Sequence, residues 1–185
     1  MDTNTILIVV GLLVVAVLIA VAYAVVSKKK TQHLKERFGP EYERLAEAEG
    51  SRKAEADLAA REKRVEKLQI KPVPPELRER FARSWQNVQA RFVDEPGAAV
   101  GEADALVRKV MESRGYPMST FDQAAADISV HHPVVVENYR LAHDLALKRE
   151  QGKATTEDLR QAFIHYRSLF EELLEAEELV EVHAG

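Results

Sequence analysis

Histidine offers the best prospect of chemistry in this sequence. His131 and His132 stand side by side before Pro133, and His143 and His165 follow further along. Asp127 lies four residues before His131, which is one helical turn. Imidazole beside carboxylate is the raw material of metal sites and of acid–base work. A stricter test fails, however. Helical di-iron sites need Glu-x-x-His on two helices, and that spacing occurs nowhere in the chain. His131 and His132 are therefore expected to satisfy backbone groups at a helix start, and His143 and His165 to sit at the core boundary against tyrosines.

Other chemistry is equally thin. There is no glycine-rich phosphate loop, no Gly-x-Ser-x-Gly and no His-Glu-x-x-His. The chain has no cysteine, hence no thiol nucleophile, zinc–thiolate cluster or disulfide. Arg91, Asp94, Glu95 and Arg114 form a charged group without a nucleophile, and arginines near helix boundaries usually tie carboxylates or carbonyls. Trp85, flanked by Gln86 and Gln89, could anchor a partner. As the only tryptophan and on an apolar stripe, it is assigned to the core. The sequence thus predicts no catalytic, cofactor-binding or metal-binding residue, and no enzyme.

The elements that would position these residues begin with an apolar segment. Ile6 to Val26 carries no charge over 21 residues, roughly 31 Å at helical rise and about one hydrocarbon thickness. Lys28, Lys29 and Lys30 end it, where they can meet lipid head groups. A cleaved signal peptide would need a basic N-terminal flank and a shorter apolar run. The flank here is Met-Asp-Thr-Asn-Thr. Lysines on the C-terminal side favour an N-terminus outside and a body in the cytoplasm. Ala16, Ala20 and Ala24 recur every four residues on one face, a spacing that permits two membrane helices to pack together.

After the span, residues 31–70 read as a charged helical stalk, broken at Gly39-Pro40 and interruptible at Gly50-Ser51 with Ser51 as a new N-cap. Leu58, Val65 and Leu68 fit a heptad seam, but Arg61 occupies the seam position between the first two. Residues 71–75, Lys-Pro-Val-Pro-Pro, read as an extended proline spacer. Residues 76–174 show five amphipathic segments. Leu77, Phe81, Trp85, Val88 and Phe92 form the first stripe. Asp94 and Pro96 are placed to start the second, and Gly115 to stop it. Ser119 with Asp122, and Thr155 with Asp158, are spaced as capping boxes, and Pro133 is placed to open the fourth helix. Residues 175–185 are expected to be an acidic, frayed end to the last helix. The fold class is all-α: an N-terminal transmembrane helix in residues 1–30, a charged stalk helix and a C-terminal small helical bundle.

Charge sorts the partners. The formal net charge is −4. Residues 28–70 hold 12 Lys/Arg against 9 Asp/Glu, whereas residues 71–185 hold 14 against 20. The excess of base sits beside the membrane and the body is acidic, which disfavours nucleic acid as a partner.

Arg37-Phe38-Gly39-Pro40-Glu41-Tyr42, the run from Trp85 to Pro96, Arg114-Gly115-Tyr116-Pro117, His132-Pro133 and Thr156-Glu157-Asp158-Leu159-Arg160 together resemble a family of uncharacterised small bacterial single-span membrane proteins, often labelled hypothetical or secreted proteins. The resemblance runs from the span to about Leu174. It implies a bacterial source and the cytoplasmic (inner) membrane, and it brings no activity, cofactor or site. The function expected from the whole is a membrane-tethered protein-interaction module that meets membrane lipids and a protein partner. The alternatives are a self-associating homo-oligomeric scaffold, or a helical protein on the envelope side.

Overall fold

The computed structural model describes the backbone of residues 3–175 and the side chains of residues 11–175. The described chain is all-α. Eight helices follow one another: α1 Thr3–Phe38, α2 Pro40–Glu49, α3 Ser51–Val65, α4 Pro75–Arg91, α5 Pro96–Arg114, α6 Phe121–Ile128, α7 Val136–Glu150 and α8 Thr156–Glu175. The expected acidic end, from residue 176 on, lies outside the described residues.

Helix α1 is one unbroken element of 36 residues. From Gly11 on, its apolar part is uncovered by the rest of the described chain, and one stretch of it is long and apolar enough to cross a membrane. The helix then continues past Lys28, Lys29 and Lys30 into the folded body, where Leu34 and Phe38 are buried. Gly39, with φ 45°, ends it, and Pro40 opens α2 at a position where a missing N–H costs nothing.

Here the sequence reading needs correction. Residues 31–70 do not form a stalk set apart from the bundle. The end of α1, α2 and α3 fold into a helical hairpin with its own core of Leu34, Phe38, Tyr42, Leu45, Ala54, Leu58 and Val65, completed by Val130 from the bundle side. The seam residues Leu58 and Val65 are spent inside this core and cannot pair with a second copy. Arg61, which interrupts the seam, is itself buried. The proline spacer is extended but not open. Val73 is buried in the main core and the Lys71 N–H donates to the Arg114 carbonyl (2.8 Å).

The main core is built by α4, α5, α7 and α8 with α6 against one end. Trp85 lies against Phe163 and Phe170, with ring centroids 5.1 and 4.6 Å away and near-parallel planes. Phe92 adds a second contact to Phe163. Tyr139, Tyr166, Leu169 and Leu173 fill the α7–α8 side. On α5, Gly97 and Gly101 leave room for Arg149, whose Nη1 donates to the Gly97 carbonyl (2.7 Å).

Several helix ends differ from expectation by a residue or more. Asp94 is not the α5 cap; Glu95 holds that position without a side-chain bond. Gly50, not Ser51, caps α3. Thr120, not Ser119, caps α6 by accepting from the Gln123 N–H. Pro133 lies in the turn before α7, which begins at Val136. The Thr155–Asp158 box forms as read: the Asp158 N–H donates to Thr155 Oγ1 and the Thr155 N–H to Asp158 Oδ2. Gly115 ends α5 in the left-handed region at φ 98°. A Cβ there would stand 2.7 Å from the Gln69 carbonyl oxygen. Gly115→Ala is thus expected to lower stability by about 1–3 kcal/mol, through the unfavourable φ and the displaced linker, measured as a shift in the urea midpoint.

Candidate functional site

The densest polar constellation is the seam where the hairpin meets the bundle. Glu41, one residue into α2, is buried. Arg44 Nε and Nη2 donate to its carboxylate at 3.0 and 2.9 Å from the same helix. Arg61 Nη1 reaches it from α3 at 2.7 Å. Arg140 arrives from α7 with both Nη atoms, at 2.7 and 2.9 Å. Burial pushes the Glu41 carboxyl up, but the bonds from Arg44 and Arg140, with Arg61 behind them, outweigh burial and hold it at about 2. One carboxylate thus joins three helices through bidentate, charge-assisted bonds.

A second tie lies beside it. Asp127, near the end of α6, is fully buried. Its Oδ1 accepts from Arg64 Nε (2.8 Å) and Gln123 Nε2 (2.9 Å). Arg61 also donates to Ser129 Oγ (3.2 Å) and pairs with Asp57. The stretch from Asp127 to His132 is a wedge. Asp127, Ser129 and Val130 serve the hairpin, whereas Ile128 packs in the bundle and His132 bonds to α8.

The histidines are dispersed by this geometry. His132 is buried, and its Nδ1–H donates to Glu172 (3.0 Å). Burial pushes this imidazole below the ordinary histidine value, against the pull of Glu172. His131 instead bonds to the Tyr116 hydroxyl (3.1 Å). His143 stacks on Phe121 at 3.7 Å and His165 bonds to Asn138 at 2.8 Å. The expected tyrosine neighbours of His143 and His165 are thus a phenylalanine and an asparagine. Asp127 serves Arg64, not His131. Among the described residues, no group of three or more His, Asp or Glu is arranged to hold a metal ion.

Of the four charged residues read at the helix boundaries, Arg91 and Glu95 stay together while Arg114 serves another contact. Arg91 pairs with Glu95 and Glu102 on the surface. Arg114 is buried and donates to the Leu173 carbonyl at 2.6 Å, tying the end of α5 to the end of α8. Ala16, Ala20 and Ala24 lie exposed on α1, and Lys28, Lys29 and Lys30 follow them, also exposed.

Chemically, the Glu41 constellation is a clamp. A general base needs a pKa near working pH and a free lone pair aimed at a substrate. Glu41 has neither, because its pKa is about 2 and both oxygens accept from arginines. The sequence held one signal of it: an arginine on the apolar side of a helix, between Leu58 and Val65, requires a buried partner. In comparisons with known proteins, no family model, no curated protein and no solved structure matches this chain.

Proposed function

We propose that this chain is a membrane-tethered interaction module whose bundle is held rigidly, rather than loosely, at the bilayer. One observation carries the reading: the exposed apolar helix runs without a break into Leu34 and Phe38, which are 1% and 0% exposed inside the folded body. A buried apolar side chain contributes about 1.5–3 kcal/mol. Motion of α1 against the body would therefore require breaking its core. The clamp at Glu41 extends the rigidity to α7. Tethering raises the concentration of a bound partner at the membrane, and rigid tethering also fixes the face presented.

In this reading Ile6 to Val26 spans the bilayer, the N-terminus is outside and the body is cytoplasmic, as the lysine flank favours. Placement in the bacterial inner membrane rests on the resemblance to small single-span proteins. Two C-terminal reporters test it, one active only in the cytoplasm and one only outside. The cytoplasmic reporter should be the active one. Activity of the other would put the body on the envelope side and end this topology.

Self-association is a second reading, and the uncovered face of Ala16, Ala20 and Ala24 favours it. Since the α3 seam is used within the chain, the span alone would have to carry pairing. Ala20→Leu is then expected to reduce cross-linked dimer in membranes by several-fold. An unchanged ladder would remove the scaffold reading.

A further inference from the structure

The α2–α3 turn points back towards the membrane. Thr31 Oγ1 on α1 donates to Glu55 on α3 (2.8 Å), and the Tyr42 hydroxyl on α2 donates to the same carboxylate (3.2 Å). Further along, His33 and Arg37 meet Glu62 (3.4 and 3.2 Å). Residue numbers rise together in these pairs, so α3 runs alongside α1 in the same direction and α2 runs back between them in sequence. Moving three residues up α3 from Glu55 reaches Arg52, and three residues up α1 from Thr31 reaches Lys28. Both steps are roughly 4.5 Å. Arg52 therefore stands level with Lys28, Lys29 and Lys30, next to the end of the apolar segment.

We propose that this turn is a second lipid-contacting element, in which Arg52 and Lys53 join the three lysines of α1 in a collar that binds the phosphates of anionic lipids. The proposal rests on α1 being a membrane span. All five cations are exposed. Lys53 is bridged to Glu49 (2.9 Å), whereas Arg52 has no ion-pair partner among the described residues. Its guanidinium is therefore the one at the turn best placed to take a phosphate in bidentate fashion. Two basic contacts on separate helices would also fix the rotation of the body about α1, which a single basic flank cannot do.

The lack of cysteine gives a clean test. The full chain is placed in nanodiscs of zwitterionic and anionic lipid. A fluorophore is attached at Ser51→Cys, with Ser27→Cys as a near control and Lys63→Cys as a far one. Lys63 is 11 residues beyond Arg52 on α3, about 16 Å farther from the membrane. Nitroxide quenchers are carried on the head group of either lipid. The expected result is quenching at 51 close to that at 27 and well above that at 63, about twofold stronger from the anionic lipid. Charge reversal by Arg52→Glu and Lys53→Glu should bring the two lipids towards parity, since each basic residue at the surface is worth roughly fivefold in attraction. Quenching at 51 no greater than at 63, with 27 strongly quenched, would overturn the lipid contact and leave the span intact. Equal quenching by both lipids at 51 would overturn the choice of anionic lipid. If position 27 is itself unquenched, the span fails and the collar fails with it.

Discussion

Glu41→Ala is expected to destabilise the body by about 3 kcal/mol and to loosen the hairpin from the bundle first. Removing one partner of a buried ion pair strands the other charges, at a typical cost of about 3–5 kcal/mol. The lower end applies here. Arg61 keeps Asp57 and Ser129 as partners, and the Arg140 side chain, 21% exposed, can turn towards water. Urea unfolding of the full chain in detergent should show the loss, and hydrogen exchange should rise in α2 and α3 before α4, α5 and α8. A midpoint that does not move would mean that the arginines are already solvated and that the seam is not a clamp.

The same carboxylate sets an acid limit. Its pKa is about 2 in the fold against an ordinary value of 4.5. The folded state therefore holds the proton less readily than the unfolded chain does. This contribution, about 3 kcal/mol, is complete above roughly pH 4.5 and disappears as the pH falls from there towards 2. Wild type should lose stability over that window, and Glu41→Ala should lose about 3 kcal/mol less across it. Parallel pH curves for the two proteins would contradict the assignment of the acid limit to Glu41.

Trp85→Ala is expected to cost still more, about 3–5 kcal/mol, the range for deleting a large core aromatic. Its ring fills the space against Phe163 and Phe170, and stacking adds to the area buried. Trp85→Phe should be far milder, at about 1.5 kcal/mol or less. It keeps an aromatic ring in the stack and removes an indole N–H that is buried without a protein hydrogen-bond partner. Far-UV circular dichroism during urea unfolding reads both variants without relying on tryptophan emission. If Trp85→Ala costs under about 1 kcal/mol, Trp85 is a surface anchor after all. If Trp85→Phe proves as costly as alanine, the indole N–H has a partner and the packing argument is incomplete.

The parts of this protein legible in the sequence are those fixed by short-range physics. Twenty-one uncharged residues can only be a helix if they lie in lipid, and the lysines mark where its apolar part ends, though the helix itself runs on to Phe38. Pro40 after Gly39 breaks α1, Gly115 stops α5, and Thr155 with Asp158 starts α8, because each acts on backbone groups within a few residues. The stripe from Leu77 to Phe92 placed Trp85 in the core, since helical periodicity reports which face is buried. Periodicity does not report what that face meets. By sequence the hairpin reads as a stalk, because its apolar positions are few and its charges many, a composition that usually means solvated surface. What makes it fold back is Leu34, Phe38, Tyr42 and Leu45 closing over Leu58 and Val65, together with Glu41 meeting an arginine 99 positions away. A contact at that separation leaves no local trace. Only the tertiary structure could decide that the most charged stretch of the chain carries a buried carboxylate, and that the long apolar helix ends inside a core.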